Sequence, residues 1–367
     1  MPVIGLAADR GHYCARTRVV RRVLQAPLVG EPLIEALERL AQGIGELAFL
    51  LPCTDASVLA ISAFRERLAE SYRFVLPDHG TVATLMDKMS FTAFALEAGL
   101  RIPPTFVLRS ADDAQRAIAE LTWPAVVKPD LKTPRWFANT SKKAIIVETP
   151  AELLELYQRA AGWADALVAQ AWIEGSEDDL LSFNGYFDRE SQPQATFIAR
   201  KIRQWPPDTG TSSLGVEIRD DQVLGLSLDL FGRVGFQGLS YLEVKRDRRT
   251  GAAYIIEPNI GRPTGRSAIS EMGGVELLLT AYRDAFGEPL PEARTQAYRG
   301  VKWIYWRHDL QASLVAAGRG RLTPLGWWRS VRGPKTEAVF DRRDPVPFIA
   351  DVVHTAGAAL RSARRRL

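Results

Sequence analysis

The sequence predicts a mixed α/β fold, in which a parallel α/β unit is followed by a region of antiparallel strands. Up to about residue 77, short apolar runs alternate with segments of helical spacing, which is typical of parallel sheets covered by helices. From about residue 180 to 260, long strands are separated by polar turns, which is typical of hairpins. The 367 residues suffice for two or three compact units that share buried cores.

The first unit, residues 1–84, is expected to be the parallel α/β part. Residues 3–7 form a short apolar run that ends just before an acid, Asp9, and therefore predict a buried strand. The other elements predicted here are a helix over 32–42, a strand over 48–52, a helix over 58–68 and a strand over 74–77.

The second unit is predicted to span residues 85–165. Asp87 and Lys88 open a helix that runs to about residue 98. Ser110 and Thr149 each lie three residues before an acid, the spacing of a capping box, and predict that a helix follows each of them. Strands are predicted over 105–108, 125–128 and 143–147.

The third unit, residues 166–290, carries the antiparallel signals. Strands are predicted over 167–172, 180–187, 194–205, 239–246 and 252–259, and a helix over 275–286. Residues 291–367 are less regular and are predicted to be an extension. In that extension Trp303, Tyr305 and Trp306 alternate like a half-buried strand.

Composition excludes several classes of protein. Hydrophobic content is 46% and charged content 25%, which is ordinary for a soluble globular protein. The apolar runs are too short to span a bilayer, and the first residues lack the basic start of a signal peptide. Cys14 and Cys53 form no CxxC motif, so no thiolate metal site is predicted, and a cytoplasmic location is expected.

The net charge of +4 could suit nucleic acid, an anionic membrane surface or an anionic small substrate. The basic residues are scattered, apart from those at the extreme C-terminus, so no nucleic-acid partner is predicted. Residues 348–367 could form an amphipathic helix. We expect a solvated terminal helix there, with weak peripheral membrane contact as the alternative and no stable membrane insertion.

The second predicted hairpin brings acidic side chains together. Glu257 and Asn259 are two residues apart in a strand and share a face, and Glu243 lies almost opposite Glu257. Carboxylates placed so close repel each other unless a cation lies between them, and hard oxygen ligands suit magnesium bound with nucleotide phosphates. Spacing alone also allows two exposed acids that pair with Lys245 or Arg246.

Two lysines could serve phosphates. Lys128 ends a buried strand and Lys88 starts a helix, and such lysines can supply positive charge to a phosphoryl-transfer site. Each could equally be an ordinary surface lysine. The sequence contains no GxxxxGK[ST] motif and no GxGxxG after a strand, so neither a Walker-type site nor a Rossmann dinucleotide site is predicted.

Over residues 84–287 the sequence resembles the ATP-grasp superfamily. The resemblance is carried, in order, by Asp87-Lys88, VVKP around Lys128, VAQAWIEGSE, YLEVK and IIEPN. It implies an N-terminal parallel α/β domain (1–84), which could be shortened, a lid subdomain (85–165), a catalytic subdomain (166–290) and a family-specific extension (291–367).

The resemblance also implies ATP and Mg²⁺ as cofactors. Lys88 and Lys128 would hold the ATP phosphates, and Glu243, Glu257 and Asn259 would hold the metal. Four further residues would surround the nucleoside: Gln170 accepting from the adenine amino group, the backbone of Trp172 and Ile173 at the ring edge, and Glu177 at the ribose.

A closer resemblance covers most of the chain. Segments such as LPCTD, RKIRQWPPDTGTS, EPNIGRPTGRSAISEMGGVELL and GVKWIYWRHDL are similar to bacterial carboxylate–amine ligase-like proteins related to D-aspartate ligase. This implies an ATP-dependent ligase that activates a carboxylate as an acyl phosphate and couples it to an amine. A homodimer is expected, since dimers are common in similar folds. The alternatives are a kinase-like phosphotransferase and a non-catalytic ATP-binding protein.

Three departures from the family pattern bear on these expectations. Similar proteins open with an additional strand and helix, and this sequence is expected to begin at their second strand, either because the form is shortened or because its start lies upstream, so that an exposed sheet edge could result. No glycine lies between Lys128 and Lys143, where the family has a Gly-rich phosphate loop, so Lys143 and its basic neighbours would supply charge instead. Tyr241 stands where D-alanine–D-alanine ligases have an arginine.

The remaining site residues are cationic. Lys201 and Arg203 are predicted to share the cleft face of a strand as catalytic groups, and Arg262 to serve the reacting phosphoryl group. Arg203 and Arg266 would also bind the acid substrate, helped by Ser267, which hints at a polyanionic acid. The alternative is that these arginines form structural ion pairs.

Overall fold

The computed structural model describes residues 2–130, 133–140, 142, 144–207, 210–265 and 267–364. The N-terminal elements in this part of the chain are β1 (Ile4–Ala7), a 3₁₀ helix (Tyr13–Arg16), β2 (Arg22–Gln25), α1 (Gly30–Ile44), β3 (Ala48–Phe49), α2 (Asp55–Ala63), α3 (Arg65–Leu68), β4 (Tyr72–Arg73) and α4 (His79–Met86). Strand β1 pairs with β2, and β3 pairs with β4, both in parallel. The parallel arrangement is confirmed, but the strands form two separate pairs instead of one sheet.

The prediction of a strand over residues 74–77 is wrong. The pairing strand is β4, which ends at Arg73, and the following backbone is bound by side chains. Gln237 donates to the carbonyl oxygen of Leu76 at 2.9 Å, and Arg65 donates to the same oxygen at 3.3 Å. Pro77 has no N–H to offer a neighbouring strand, so the apolar run packs without joining a sheet.

The second region is a small antiparallel sheet covered by helices. Its elements are α5 (Lys88–Glu97), β5 (Thr105–Leu108), α6 (Ala111–Glu120), β6 (Ala125–Pro129), α7 (Pro134–Asn139), β7 (Ile145–Val147), α8 (Pro150–Ala160) and β8 (Leu167–Ala171), with the strand order β5-β8-β6-β7. The capping box at Ser110 is confirmed, and the Thr149 side chain accepts from the backbone N–H of Glu152. We call this sheet the lid sheet.

The third region is built on a larger, mostly antiparallel sheet, the catalytic sheet. Its elements and those that follow are β9 (Leu180–Phe187), β10 (Pro193–Trp205), β11 (Thr211–Glu217), α9 (Asp221–Arg233), β12 (Gly238–Arg246), β13 (Ala253–Ile260), α10 (Ala268–Met272), α11 (Leu277–Ala285), β14 (Lys302–Ile304), α12 (Trp306–Gly318), α13 (Pro324–Val331), β15 (Lys335–Glu337) and α14 (Val346–Arg364). The strand order is β13-β12-β9-β10-β11-β14-β15. Both predicted hairpins, β9–β10 and β12–β13, are confirmed.

Two irregularities of the catalytic sheet lie beside predicted site residues, one in β13 and one in β10. In β13 the register shifts after the pair Glu243–Glu257, which leaves Ile256 as an extra residue. In β10 it shifts after Lys201, which leaves Ile202 as an extra residue. Such bulges break the simple alternation of side chains between the two faces of a sheet.

The C-terminal extension adds edge strands and helices to the catalytic sheet. The aromatic strand predicted there ends at Ile304, because α12 begins at Trp306. The predicted terminal helix is α14 (Val346–Arg364), on which Ile349, Val352 and Val353 are exposed. No helix in the described part of the chain combines the length and apolar character needed to cross a membrane. Peripheral contact and the domain boundaries stay predictions.

Candidate active site

Two adjoining cavities lie between the lid sheet and the catalytic sheet. The larger has a volume of about 570 Å³ and the smaller about 270 Å³, and both are lined by Gln170 and Ile256. Together they are of the size that accommodates a nucleotide and a small substrate. Ten of the predicted site residues line them: Lys88, Lys128, Gln170, Trp172, Ile173, Glu177, Lys201, Glu243, Glu257 and Asn259.

The predicted metal ligands meet on the face of the catalytic sheet that borders these cavities. Glu243 and Glu257 are directly paired across β12 and β13, and Asn259 is paired with Tyr241 two positions further along the ladder. Directly opposed side chains in an antiparallel pair lie on one face about 5 Å apart. Two carboxylates and an amide oxygen are therefore close enough to share one cation.

This ligand set fits magnesium better than a metal held by protein alone. Among the described residues no group of three or more His, Cys, Asp or Glu side chains could hold a metal ion. Two carboxylates and one amide leave coordination positions to be filled by phosphate oxygens or water, which is how Mg²⁺ is usually bound beside a nucleotide.

Glu243 lies in a charged cluster. Its side chain is 22% exposed, and the buried Lys201 ammonium is 3.9 Å from its Oε2. Burial raises the pKa of Glu243, and the nearby Glu257 raises it further, while Lys201 and Lys245 lower it. A cation between the two glutamates would relieve both of the effects that raise this pKa.

The predicted phosphate lysines line the larger cavity, Lys128 from β6 of the lid sheet and Lys88 from the start of α5. Lys128 donates to Gln170 Oε1 at 3.2 Å, and Gln170 Nε2 donates to Thr105 Oγ1 at 2.9 Å. Gln170 is thus held with its oxygen toward Lys128. A ligand amino group would share this oxygen with the lysine. Lys88 begins α5, whose N-terminus is capped by Asp87.

The predicted nucleoside residues line the smaller cavity. The Trp172 N–H donates to the carbonyl oxygen of Pro124 at 3.0 Å, so any contact of Trp172 backbone with a ring edge would come from its own carbonyl oxygen. Glu177 begins a 3₁₀ helix (Glu177–Asp179) and accepts from the backbone N–H of Gln204 at 3.1 Å. The contacts of Trp172, Ile173 and Glu177 with a nucleoside stay predictions.

Arg203 is not brought to the cavities. Its guanidinium binds both carboxylate oxygens of Asp309, at 2.8 and 3.0 Å, and also donates to Ser330 Oγ. Asp309 additionally accepts from Trp327 Nε1. The prediction that Lys201 and Arg203 share a face is wrong, because the bulge at Ile202 turns Arg203 toward α12 and α13. The ion-pair alternative holds for Arg203, although the partner is Asp309.

Arg262 lies beside the metal ligands. It donates to Asn259 Oδ1 at 3.2 Å and to Asp55 Oδ1, on α2, at 2.5 Å. Ser267 is buried and accepts from the backbone N–H of Thr264 at 2.9 Å, so its oxygen already shapes the loop after β13. Arg266 and Lys143, also predicted site residues, lie outside the described residues.

Where similar proteins have a glycine-rich loop, the chain between β6 and β7 contains the short helix α7. Thr133 caps this helix, and Trp136 is fully buried with its Nε1 donating to the carbonyl oxygen of Lys142 at 2.7 Å. Arg135, expected to supply charge, pairs instead with the exposed Asp165 at 2.6 Å.

Sequence reasoning did not assign three residues that the structure places at the site. Lys245 lines the smaller cavity and donates to the carbonyl oxygen of Ser176 at 2.5 Å, and burial lowers its pKa. Ile256 lines both cavities because of its bulge. Asp55 lines the larger cavity from the N-terminal region. Lys245 lies two residues after Glu243 in the same strand, and this spacing could have placed it on the same face. The bulge at Ile256 and the contact of Asp55 with Arg262, 207 residues away, leave no local pattern in the sequence.

Comparison with known proteins gives a consistent result. No family model matches the chain. D-aspartate ligase from Enterococcus faecium (strain Aus0004) is 22% identical over 314 residues, covering 82% of this chain and 74% of the ligase. N5-carboxyaminoimidazole synthetase from Staphylococcus aureus superposes with a TM-score of 0.61 at 15% identity, covering 80% of this chain and 73% of that one.

A third similar protein was solved with nucleotide bound. The biotin carboxylase domain dimer of 2-oxoglutarate carboxylase from Hydrogenobacter thermophilus, in complex with MgADP, ADP and bicarbonate, superposes with a TM-score of 0.60 at 16% identity. The match covers 80% of this chain and 66% of that one.

Proposed function

We propose that this chain, an ATP-grasp protein, is an ATP-dependent ligase that activates a carboxylate as an acyl phosphate and couples it to an amine. The ATP-grasp fold predicted from the sequence is confirmed by its likeness to solved structures at TM-scores of about 0.6. The similarity to D-aspartate ligase over 82% of the chain supports the ligase activity.

One observation carries the proposal. Glu243, Glu257 and Asn259 face the same pair of cavities as Lys88 and Lys128. Metal-binding oxygens and ammonium groups around one space are what Mg²⁺ and the phosphates of ATP require. Glu243, Glu257 and Asn259 would hold Mg²⁺, which would offset the negative charge that develops during phosphoryl transfer.

The proposed reaction has two steps. A carboxylate oxygen of the acid bonds to the γ-phosphorus of ATP, the bond from that phosphorus to the β–γ bridging oxygen breaks, and ADP leaves. The amine nitrogen then bonds to the acyl carbon, the bond from carbon to the phosphate oxygen breaks, and phosphate and a proton are released. The protein supplies position and positive charge and needs no covalent nucleophile.

The residues have distinct proposed roles. Lys88 and Lys128 bind phosphate oxygens, and Gln170, Trp172, Ile173 and Glu177 surround the nucleoside. Lys201 keeps Glu243 ionised, and Arg262 stabilises the transferred phosphoryl group. Arg203 has no role in the reaction, because its guanidinium is fully engaged by Asp309 and Ser330.

The test is release of ADP and phosphate from Mg·ATP in the presence of pooled carboxylic acids, each pool with and without mixed amines. We expect release that needs both an acid and an amine, and deconvolution of the active pool then names the substrates. Glu257→Gln measured on the same pool should remove the release, while Glu120→Gln, at an exposed helix end, should not.

Two other outcomes would replace the proposal. Release of ADP that needs an acid but is indifferent to amine would identify a phosphotransferase. Thermal stabilisation by Mg·ATP without turnover in any pool would indicate an ATP-binding protein, and the helix α7 in place of a glycine-rich loop would then be the first feature to examine.

A further inference from the structure

We propose that Asp55 is a positioning residue for Arg262, so that a helix of the N-terminal region sets the geometry at the reacting phosphoryl group. The inference rests on the proposed function, because it assumes that Arg262 acts on that group. Asp55 is the first residue of α2, and it meets Arg262 across 207 positions of sequence.

The contact is specific in geometry. Arg262 Nε donates to Asp55 Oδ1 at 2.5 Å, while Arg262 Nη2 donates to Asn259 Oδ1 at 3.2 Å. One guanidinium therefore links the N-terminal helix to a proposed metal ligand. Asp55 and Asn259 also line the same cavity, so the link forms part of the wall of the site.

Both ends of the link are held firmly. The N-terminus of α2 is fixed by a capping box, in which the Thr54 side chain accepts from the backbone N–H of Ser57. Gly261, just before Arg262, has a φ of +72°, and a Cβ there would lie 2.9 Å from Val58 Cγ1 on α2 and 2.4 Å from Leu76 Cδ2. Glycine is required at this position, and the loop that carries Arg262 packs directly on α2.

A stabilising role alone does not account for this pair. The Asp55 side chain is 59% exposed and that of Arg262 is 17% exposed, and ion pairs with an exposed member contribute little to stability because water and salt screen them. The planar guanidinium of Arg262 donates to Asp55 and to Asn259 at once, and two such bonds fix its direction. The pair is better explained by where it holds the guanidinium.

Metal binding makes Asp55 more important. Arg262 has two side-chain acceptors in the described structure, Asp55 and Asn259. If the Asn259 oxygen binds Mg²⁺, it becomes a poorer acceptor for a second cation. Asp55 then remains as the group that keeps Arg262 beside the site, in reach of a phosphoryl oxygen.

A double-mutant cycle tests the proposal. We expect Arg262→Gln to lower kcat about a hundredfold, the typical loss of one preorganised charge-stabilising group. Asp55→Asn should lower kcat about tenfold with a smaller change in KM, since a misplaced group retains part of its effect. In the Arg262→Gln background, Asp55→Asn should change kcat less than about twofold. Asp55→Glu should recover part of the loss.

A binding measurement keeps the test independent of ligase activity. Calorimetry should show that Asp55→Asn weakens a non-hydrolysable Mg·ATP analogue several-fold and leaves Mg·ADP unchanged, because Arg262 serves the γ-phosphoryl position. This difference should vanish in the Arg262→Gln background. If no pool gives turnover but this pattern is seen, the proposed function fails and the positioning role stands.

Two results would overturn the positioning role. One is a loss on Asp55→Asn that is equally large with and without Arg262, which would show that Asp55 acts through something else. The other is unchanged kcat and analogue affinity in Asp55→Asn. Asp229→Asn, which removes a similarly exposed partner of Arg233 on α9, is the matched control and should change neither quantity.

Discussion

In both the β12–β13 hairpin and the end of β10, a group of side chains was predicted to face the cleft together, and both regions contain a bulge. Only in the hairpin do the predicted side chains lie on one face. In β13 the extra residue, Ile256, comes before Glu257 and Asn259. These two therefore share one face of the sheet with Glu243, which is paired directly with Glu257. In β10 the extra residue, Ile202, falls between Lys201 and Arg203 and separates them. The position of a bulge relative to the functional residues therefore decides whether counting by twos identifies a site.

The consequences for charge are opposite in the two regions. Around the hairpin, carboxylates face a cavity and their repulsion favours a bound cation. At the end of β10, Arg203 and Asp309 are 9% and 0% exposed and neutralise each other. A charge that faces a cavity is available to a ligand, whereas a buried pair with complete hydrogen bonding serves the fold.

The largest expected effect is a loss of turnover when the hairpin is changed. Glu257→Gln should lower turnover by a factor of about a hundred to a thousand, because the amide removes one of two negative charges that hold the metal. Glu257 is exposed, so the melting temperature without ligand should stay nearly constant. Steady-state phosphate release and a thermal scan measure both. Full activity in this variant would refute the metal assignment.

The second expected effect is a loss of stability when the ion pair at the end of β10 is broken. Asp309→Ala should lower the free energy of unfolding by about 3–5 kcal/mol, because it leaves the Arg203 guanidinium buried without a counter-charge. Denaturant titration measures this, with Asp229→Ala, from an exposed pair on α9, expected to cost about 0.5 kcal/mol or less. If Asp309→Ala keeps its stability and loses turnover, Arg203 would have a role in the reaction after all.

The third effect concerns pH. Burial raises the pKa of Glu243 and Lys201 lowers it, and only the ionised carboxylate can hold a cation. The affinity for Mg·ADP should therefore fall as the pH drops through the raised pKa. In Lys201→Met the fall should begin at a higher pH, since the lowering charge is gone. Calorimetric affinities across a pH series test this, and identical pH profiles would contradict it.

The smallest effect tests which neighbour shares the face of Lys201. Gln204 accepts from Lys201 Nζ at 3.0 Å, so Gln204→Ala should lower turnover a few-fold by loosening the ammonium. Arg203→Lys, on the opposite face, should leave turnover per folded molecule unchanged at a temperature where the variant is folded. The reverse ranking would mean that the bulge does not orient this strand as described.

Most of the fold was predictable because its signals are local. The capping boxes, the period-2 strands of the two hairpins and the α5 start at Lys88 all depend on neighbouring residues. The short strand β2 was missed because only two of its four residues are apolar. Helices α9, α12 and α13 were also missed, in a part of the chain where no motif drew attention to the helical spacing.

The residues that line the cavities were predictable where local pattern and family resemblance coincided. Ten predicted residues line the two cavities, and each lies within a short motif, mostly on a strand or at the start of a helix. The failure at Arg203 and the omission of Asp55 share one cause. Both depend on contacts over more than a hundred residues, Arg203 with Asp309 and Asp55 with Arg262, which no spacing along the chain encodes.

The measurement that tests the central claim most directly uses carboxylic acids labelled with ¹⁸O in the carboxylate. If the carboxylate attacks the γ-phosphorus and the amine later displaces phosphate, one labelled oxygen must leave with the phosphate. Mass spectrometry of the phosphate released from the active pool should show one ¹⁸O atom per molecule formed. Phosphate without label, formed together with amide product, would contradict activation through an acyl phosphate and with it the proposed function.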